Sequence, residues 1–285
     1  MLLGCGRFQL DLGRPKIMAI VNVTEDSFSG DGCKAFDHVL RAAERAVEQG
    51  ADLIDVGGES SRPGAAGVSE AEELERVVPV IAALQGLGVP LSVDTVKPRV
   101  MKAALDAGAD LINDIAAFRQ PGALEAVKDS SAALCVMHMQ GEPRTMQIEP
   151  VYIDVVDEVR IFLDERVKAL LQAGVAAERI LVDPGFGFGK TLEHNLALLA
   201  RLEVFGKSGF PVLVGMSRKS MLGALTGRPV GERQVAGAVA AMWAIQRGAR
   251  IVRTHDVAAT RDVIRVFSGL EAAEFRMRRH CEPSD

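Results

Sequence analysis

The feature that most restricts the fold of this chain is a regular alternation of short apolar segments with longer segments of helical periodicity. The longer segments, such as 35–50 and 70–88, repeat their apolar residues every three or four positions, as amphipathic helices do. The eight apolar segments are IMAIV (17–21), DLIDV (52–56), PLSVD (90–94), DLIND (110–114), AALCVM (132–137), RILVD (179–183), PVLVG (211–215) and RIVRT (250–254). This alternation predicts βα units around a parallel sheet.

Eight such units predict an α/β fold of the (β/α)8 or TIM barrel type. That fold typically takes about 250 residues, and the chain has 285. The phrases QGADLID (49–55), AGADLIND (107–114) and RGARIVRTHD (247–256) repeat one pattern, in which a glycine ends a helix shortly before a strand begins. No change in composition divides the chain, so we expect one domain over residues 1–285, with a polar tail that frays from about residue 270.

Composition restricts the class of partner. With 48% hydrophobic and 25% charged residues the chain is globular, and its net charge of −5 gives no general attraction to nucleic acid or to acidic membranes. Its cysteines, Cys5, Cys33, Cys135 and Cys281, are scattered without zinc-ligand spacing. The N-terminus lacks the apolar stretch of a signal peptide and no segment is long enough to span a membrane. We therefore expect a cytoplasmic protein.

Polar side chains follow the ends of most predicted strands, which is where a TIM barrel carries its active site. Asp94, Asn113 and Asp183 supply hydrogen-bond acceptors, which suit the N–H groups of a polar heterocycle. The cationic set suits a phosphate group and consists of Arg62, Lys219, Arg253 and His255. The sequence thus predicts one site at the carboxyl ends of the strands, the barrel mouth. One part of this site would bind a heterocycle and the other a phosphate group.

Each of these residues also has a structural alternative. Asp94 or Asp183 can cap a helix or accept loop N–H groups, and Arg253 can form a surface ion pair with Asp256. His255 can be an ordinary satisfied polar residue. The joint placement at one barrel mouth favours a functional site. The long polar loops 22–36 and 57–73 are typical of lids that order over a substrate.

The segment DPGFGFGKT (183–191) ends like a nucleotide-binding P-loop but does not complete the pattern. The first glycine of a P-loop would stand at position 184, which is Pro184 and has no N–H group. We interpret the glycines as a tight exit from the sixth strand that lets a ligand approach the backbone. Lys190 and Thr191 are expected to open the next helix.

Seven motifs in order, between residues 17 and 256, resemble those of the dihydropteroate synthase family. They are IMAIVNVTEDSFSGDG, LIDVGGESSRPGA, SVDT, LINDI, VDPGFGFGKT followed by HN, GMSRKS and RTHD. The resemblance implies a homodimeric (β/α)8 enzyme of the folate pathway that requires Mg²⁺ and is the target of sulfonamides. It implies a transferase that joins (7,8-dihydropterin-6-yl)methyl diphosphate to p-aminobenzoate and releases diphosphate.

The resemblance also implies roles for individual residues. The residues implied to hold the pterin are Asp94, Asn113, Asp183 and Lys219. Those implied to form the diphosphate pocket are Arg62, Arg253 and His255, and Asn22 is implied to bind both Mg²⁺ and diphosphate. Those beside p-aminobenzoate are Ser61, Pro63, Phe188, Lys219 and Ser220. We also expect Thr254, at the end of the eighth strand, to contact the substrate. The expected catalytic residues are Lys219, Asp94, Arg253 and His255.

The implied mechanism is dissociative, so that it needs no side-chain nucleophile, and the sequence contains no Ser/His/Asp or Cys/His pattern. Two loops depart from the family pattern: the first has Glu25 where Pro is common and Ser29-Gly30-Asp31-Gly32 where a Ser-Asp-Gly-Gly run is common, and the second has Ser61 where many relatives have Thr. Two alternatives remain. One is a catalytically silent pterin-binding relative, and the other is a methyltetrahydrofolate-binding barrel that serves a corrinoid methyltransferase.

Overall fold

The computed structural model describes residues 1–23, 32–59, 67–142 and 145–281, without the side chains of 32–35 and 278–281. The chain begins with an antiparallel hairpin of two short strands, β1 (Leu2–Cys5) and β2 (Phe8–Asp11). The sequence analysis did not predict this hairpin.

In the described part of the chain, eight parallel strands follow the hairpin and close into a barrel. Each strand pairs with its sequence neighbours, and the last strand pairs with the first. The strands are β3 (Lys16–Asn22), β4 (Leu53–Gly57), β5 (Leu91–Asp94), β6 (Leu111–Asp114), β7 (Ala133–Met137), β8 (Ile180–Asp183), β9 (Val212–Val214) and β10 (Ala249–Thr254). The predicted (β/α)8 barrel is confirmed.

Helices cover the outside of the barrel. They are α1 (Gly32–Glu48), α2 (Glu70–Leu84), α3 (Pro98–Asp106), α4 (Ala123–Val127), α5 (Val155–Gln172), α6 (Leu192–Ala200), α7 (Glu203–Gly206), α8 (Ser220–Thr226), α9 (Gln234–Gln246) and α10 (Val257–Cys281). The tail differs from the expectation of fraying from about residue 270, because α10 continues to Cys281. None of the helices within the described ranges is long and apolar enough to cross a membrane.

Local sequence explains where several helices begin. The Asp154 side chain accepts hydrogen bonds from the backbone N–H groups of Val156 and Asp157 at the start of α5. The Ser69 hydroxyl accepts one from Glu72 N (3.3 Å) at the start of α2, whose first turn is acidic. These caps satisfy N–H groups that have no partner within the helix.

The period-two alternation of the strands separates the hydrophobic residues into two layers. Residues such as Ile54, Val56 and Ile112 are buried between the strands and the helices. The barrel interior is filled at its lower end by Met18, Leu53, Leu111, Ala133, Leu181, Leu213 and Ile251, together with Leu3, Cys5 and Leu12 of the N-terminal segment. Arg7 in the hairpin pairs with Asp110, just before β6, at 2.9 Å. The hairpin therefore closes the N-terminal end of the barrel.

A polar layer lies directly above this apolar floor. The side chains of a strand alternate between its two faces, so the residue two positions after an inward apolar residue also points inward. Four polar residues stand two positions after Leu53, Leu111, Leu181 and Ile251. In the same order, they are Asp55, Asn113, Asp183 and Arg253. The strand register adds Asp94, which pairs with Gly57 on one side and Asn113 on the other. The upper end of the barrel interior is thus lined by charged and amide groups.

Candidate active site

Arg253 crosses the upper barrel interior and joins two carboxylates. Its Nε donates to Asp55 Oδ2 at 2.6 Å and its Nη2 donates to Asp94 Oδ2 at 2.8 Å. The Asp55 side chain is 0% exposed and that of Arg253 is 18% exposed. Arg253 does not pair with Asp256, which was the structural alternative. Asp256 pairs instead with Arg218, at 2.7 Å.

Asp55 is a component of this site that the sequence analysis missed. The Ser92 hydroxyl donates to Asp55 Oδ1, so that both carboxylate oxygens have partners. Asp55 was overlooked because it lies within a strand rather than at its end. The signal that identifies it is its spacing of two residues from the inward-facing Leu53.

Burial and neighbouring charges shift the pKa values of these groups. Desolvation would lower the pKa of Arg253, but the charges of Asp55 and Asp94 outweigh it and raise that pKa. For Asp94, desolvation raises the pKa to about 7, although the positive charge of Arg253 opposes the rise. Asp94 is therefore a carboxyl group that titrates near neutral pH, while Arg253 remains charged.

Asn113 and Asp114 occupy consecutive positions but face opposite sides of β6. Asp114 Oδ1 and Oδ2 accept the backbone N–H groups of Ala116 and Phe118, both at 2.7 Å, which gives this carboxylate a structural role in the following turn. Asn113 is 3% exposed, and its Oδ1 has no hydrogen-bond partner among the described residues. A buried acceptor without a partner is costly, so a donor on a ligand would stabilise it.

Asp183 has the structural role that the sequence offered as an alternative. Its Oδ1 accepts the backbone N–H of Gly185 at 2.7 Å, which organises the exit from β8. Desolvation raises its pKa, against the effect of that hydrogen bond and of the Lys219 charge. The Asp183 carboxylate therefore supports the exit loop and contributes negative charge near Lys219.

Lys219 enters the site from the loop that follows β9. Its ammonium group donates to the backbone carbonyl of Phe186 and lies 4.2 Å from the centre of the Phe188 ring. Desolvation lowers the pKa of Lys219 to about 8, an effect that Asp183 opposes and Arg253 reinforces. Lys219 is therefore a partly desolvated cation at the boundary between the acceptors and an aromatic wall.

Glycine is required in the exit loop of β8, which we define as residues 184–189. Gly185 has φ of +70°, and a Cβ atom there would lie 1.9 Å from the backbone oxygen of His138. Gly187 has φ of +78°, and its Cβ would lie 3.1 Å from Cδ of Lys219. Because Gly187 has no side chain, the Lys219 side chain can pass close to the backbone there.

Lys190 differs from the expectation that it merely opens the next helix. Its side chain is 3% exposed, and its ammonium group donates to His138 Nδ1 (2.9 Å), Gly185 O (2.9 Å) and Phe188 O (3.0 Å). Thr191 does open the helix: it is the N-cap of α6, and its hydroxyl accepts His194 N at 3.2 Å. The two residues thus have separate functions in the fold.

His255, Thr254 and Ser220 are three further predicted site residues, and their surroundings differ. The imidazole Nδ1 of His255 lies 3.1 Å from Ser217 Oγ, which links the ends of β9 and β10 at the mouth. Thr254 faces outward, where its hydroxyl accepts Asp256 N (3.0 Å) and lies 3.3 Å from the Thr260 hydroxyl. Ser220 is exposed at the start of α8. The structure therefore does not bring the Thr254 side chain together with the inward-facing groups.

Asn22 ends β3 with an exposed side chain at the barrel mouth. A Cβ atom built on Gly57 would lie 3.8 Å from both Asn22 Oδ1 and Asp94 Cβ, so that these two side chains approach each other across Gly57. Ser61, Arg62, Pro63 and the loop residue Glu25 lie outside the described residues. In the ranges that the structure describes, no group of three or more His, Cys, Asp or Glu residues is arranged to hold a metal ion.

Comparison with known proteins agrees with this geometry. The family model described as "Pterin binding enzyme" matches residues 18–255. Dihydropteroate synthase of Haemophilus influenzae is 49% identical over 260 residues, which is 90% of this chain and 94% of the relative.

Two solved structures of dihydropteroate synthases have the same fold at high sequence identity. The enzyme of Burkholderia cenocepacia, solved with 7,8-dihydropteroate, has a TM-score of 0.90 at 55% identity, over 96% of this chain and 98% of that one. The enzyme of Yersinia pestis, solved with a sulfonamide drug complex, has a TM-score of 0.90 at 46% identity, over 96% and 100%. The chain belongs to the dihydropteroate synthase family of pterin-binding enzymes.

Proposed function

We propose that this chain is a transferase that joins (7,8-dihydropterin-6-yl)methyl diphosphate to p-aminobenzoate. The products are 7,8-dihydropteroate and diphosphate. The observation that carries the proposal is the polar layer of the barrel mouth, where buried acceptors and cations lie side by side. Support also comes from the relative of Burkholderia cenocepacia, which was solved with 7,8-dihydropteroate.

The acceptors suit the pterin ring. Asp94, Asn113 and Asp183 offer carboxylate and amide oxygens to the ring N–H and amino groups, and the buried Asn113 Oδ1 has no partner among the described residues. A ligand donor would satisfy this atom and form charge-assisted hydrogen bonds with the two carboxylates. Lys219 can donate to an acceptor atom on the same ring.

The cations suit the leaving group. Arg253 and His255 end β10 at the mouth, and the proposed diphosphate pocket adds Arg62. In the reaction, the bond between the methylene carbon and a diphosphate oxygen breaks, and that carbon then bonds to the aniline nitrogen of p-aminobenzoate. The aniline proton is lost to solvent or to the departing diphosphate. Fixed positive charge stabilises the leaving group without a side-chain nucleophile.

The aromatic wall suits p-aminobenzoate. Phe188 lies against the Lys219 ammonium group and is 8% exposed, in a cluster with Ile115, Met137 and Met139. We place p-aminobenzoate beside Phe188 and Lys219, with Ser61, Pro63 and Ser220 as further contacts. Sulfonamides are proposed to compete for this subsite, in line with the sulfonamide complex of the Yersinia pestis relative.

Mg²⁺ fits this site as an ion that binds together with the diphosphate. Mg²⁺ prefers oxygen ligands and often takes only one or two from the protein, with substrate phosphates supplying others. The exposed Asn22 at the mouth, with its amide oxygen beside Gly57, would provide such a ligand. When bound, Mg²⁺ would neutralise part of the diphosphate charge.

A direct assay tests the proposed reaction. Purified protein is incubated with the pterin diphosphate, p-aminobenzoate and Mg²⁺, and diphosphate release is measured with and without p-aminobenzoate. Release that depends on p-aminobenzoate is expected. Pterin binding without release would instead identify a silent relative, and methyl transfer from methyltetrahydrofolate to a corrinoid would identify the methyltransferase alternative.

The pKa values predict a bell-shaped pH dependence of kcat/KM for the pterin diphosphate. As pH rises through about 7, Asp94 ionises and gains its capacity as an acceptor, so kcat/KM increases. As pH rises further through about 8, Lys219 loses its charge, so kcat/KM decreases. The measurement is steady-state kinetics from pH 5.5 to 9.5. Asp94→Asn should abolish the acidic limb and retain the alkaline limb, and an unchanged acidic limb in this variant would contradict the assignment.

We further propose that the chain forms a homodimer through α9 and α10. Three apolar side chains on one stripe of α9 are exposed: Val235 (76%), Val239 (66%) and Trp243 (44%). Their spacing of four residues places them on one face of the helix. On α10, Val266 (59%) and Leu270 (53%) are also exposed. An exposed apolar face of this kind typically marks an interaction surface.

Val239→Glu is expected to convert the dimer to a monomer, because it places a charge within the apolar stripe. Size-exclusion chromatography with light scattering measures the change in mass. The matched control is Glu274→Gln on α10, which removes a charge instead of adding one and should remain dimeric. A wild-type chain that is monomeric at micromolar concentration would refute the proposed dimer.

A cytoplasmic location is proposed on the basis of the thiols. Cys5 and Cys135 are free and buried inside the barrel. Desolvation raises the pKa of both, so that they remain protonated and unreactive. Free thiols are typical of a reducing compartment.

A further inference from the structure

The ammonium group of Lys190 is buried between two loops of the barrel mouth. Its four hydrogen-bond partners are His138 Nδ1, just after β7, the backbone carbonyls of Gly185 and Phe188 in the exit loop of β8, and the His138 carbonyl. The first three distances lie between 2.9 and 3.0 Å, and the fourth is 3.5 Å. Each Nζ proton therefore has an acceptor, while burial lowers the pKa of Lys190 well below its ordinary value.

His138 is neutral in this arrangement. Desolvation, reinforced by the charge of Lys190, lowers the pKa of His138 to about 2. Its Nδ1 accordingly accepts a hydrogen bond from Lys190. The edge of the ring packs against Phe162, with 4.9 Å between ring centroids. The imidazole is thus held in place by its packing, and Lys190 links the exit loop to it by hydrogen bonds.

The carbonyls that Lys190 holds belong to the residues on either side of Phe186 and Gly187. The Phe186 carbonyl accepts from the ammonium group of Lys219, and the Phe188 ring lies 4.2 Å from it. Gly187 is the position where a Cβ would approach Lys219 Cδ to 3.1 Å. A displacement of the carbonyls of Gly185 and Phe188 would therefore move every group of this loop that faces Lys219.

We infer that Lys190 is a positioning residue that fixes the exit loop of β8 against His138, so that the loop orients Lys219 and forms the wall of the p-aminobenzoate subsite. This inference rests on the proposed roles of Lys219 and Phe188. Lys190 makes no hydrogen bond to the polar layer among the described residues, and its charge is one of the smaller influences that lower the pKa of Asp183. We assign its effect on the reaction chiefly to the backbone carbonyls that it holds.

Other contacts keep the loop attached when Lys190 is replaced. Asn195 Oδ1 accepts Gly187 N at 2.7 Å, and the Tyr152 hydroxyl donates to Gly189 O at 2.8 Å. These contacts hold the loop from α6 and from the segment before α5. Variants at position 190 are therefore expected to fold, with a loop that is displaced and more mobile.

The test compares Lys190→Met with wild type. Methionine fills a similar volume but donates no hydrogen bond. We expect kcat/KM for p-aminobenzoate to fall by roughly 30-fold or more, since a displacement of about 1 Å at a reacting group can cost about 100-fold. The KM for the pterin diphosphate should rise by a smaller factor, because the loop reaches the pterin only through Lys219 and Asp183, while Asp94, Asn113 and Arg253 lie on other strands. Lys190→Gln, which retains two donors, should recover part of the lost activity.

Thr191→Ala is the matched control. It removes the N-cap of α6 next to Lys190 and leaves the ammonium contacts intact. It should lower the Tm while both kinetic constants remain within twofold of wild type. Equal losses for both substrates in Lys190→Met, reproduced by Thr191→Ala, would show that Lys190 only stabilises the fold and would overturn the inference.

A second measurement does not depend on activity. The Lys219 ammonium group lies 4.2 Å from the centre of the Phe188 ring, so we expect ring current to shift the NMR signals of the adjacent methylene protons upfield in wild type. Lys190→Met and Lys190→Gln should reduce this shift, while Thr191→Ala should retain it. A shift that is unchanged in both position-190 variants would overturn the inference even if the protein lacked the proposed activity.

Discussion

Lys219→Ala is expected to abolish nearly all p-aminobenzoate-dependent release of diphosphate while the protein remains folded. The ammonium group contacts Phe186 O and the Phe188 ring, and it supplies positive charge next to Asp183. Loss of one preorganised donor at a reacting centre typically costs about 10²–10³ in rate. The fold should persist, because Lys219 lies half-buried at the mouth rather than in the apolar floor. Steady-state kinetics and circular dichroism measure the two effects.

Lys207→Ala provides the control for this variant. Lys207 is exposed at the end of α7, and the same truncation there should leave the rate within about twofold of wild type. Turnover of Lys219→Ala close to that of this control would remove Lys219 from the active site. It would also remove the basis for placing p-aminobenzoate against Phe188.

Arg253→Lys is the second change with a large expected effect. Lysine keeps the charge but has no planar fork, so it cannot bridge Asp55 and Asp94 as the Arg253 guanidinium does at 2.6 and 2.8 Å. We expect kcat/KM for the pterin diphosphate to fall about 100-fold. The stability loss should be smaller than the roughly 3–5 kcal/mol that removal of one partner from a buried ion pair costs. Kinetics and thermal unfolding measure both changes.

Arg218→Lys is the matched substitution outside the polar layer. Arg218 pairs with Asp256 at 2.7 Å, and the two side chains are 37% and 17% exposed. Pairs of this exposure contribute about 0–1 kcal/mol, so we expect nearly wild-type kinetics. If both arginine variants lose activity equally, the bridge between Asp55 and Asp94 is not the relevant feature of Arg253.

The barrel could be predicted because each of its strands is a short apolar segment bounded by helical periodicity. Among the described residues, one or two α-helices separate each barrel strand from the next, and a parallel sheet buried on both faces has few other solutions. The hairpin of Leu2–Cys5 and Phe8–Asp11 was missed for the opposite reason. Its strands have four residues each and Phe8–Asp11 alternates between half-buried and exposed side chains, so that it carries no continuous apolar signal.

The polar layer could be predicted only in part. Position at a strand end does not give the direction of a side chain, so the sequence predicts the same surroundings for Arg253 and Thr254. Thr254 points outward to Thr260, and the inward-facing Asp55 was missed. Asp55 and Arg253 each lie two residues after an inward apolar residue, and Thr254 does not. This spacing therefore distinguishes inward from outward side chains. The roles of Lys219, Phe188 and the other predicted site residues stay predictions for the experiments above.

Lys190 could not be assigned from sequence because its partners are distant or are backbone atoms. His138 is 52 residues away, and the carbonyls of Gly185 and Phe188 carry no side-chain signal. A lysine before a helix is ordinarily exposed. Burial of this lysine follows from the turn of the exit loop, which requires the positive φ of Gly185.

The apolar floor and the polar layer occupy alternate inward positions of the same strands, while the hairpin seals the lower end. Stability and chemistry are therefore assigned to different residues only two positions apart, as Leu181 and Asp183 are on β8. Exchanges at the mouth that leave the Arg253 bridge and the loop contact of Asp183 intact can alter which small molecule is recognised at little risk to folding. A barrel organised in this way can change its inhibitor sensitivity over generations, one mouth residue at a time, while its closed end stays constant.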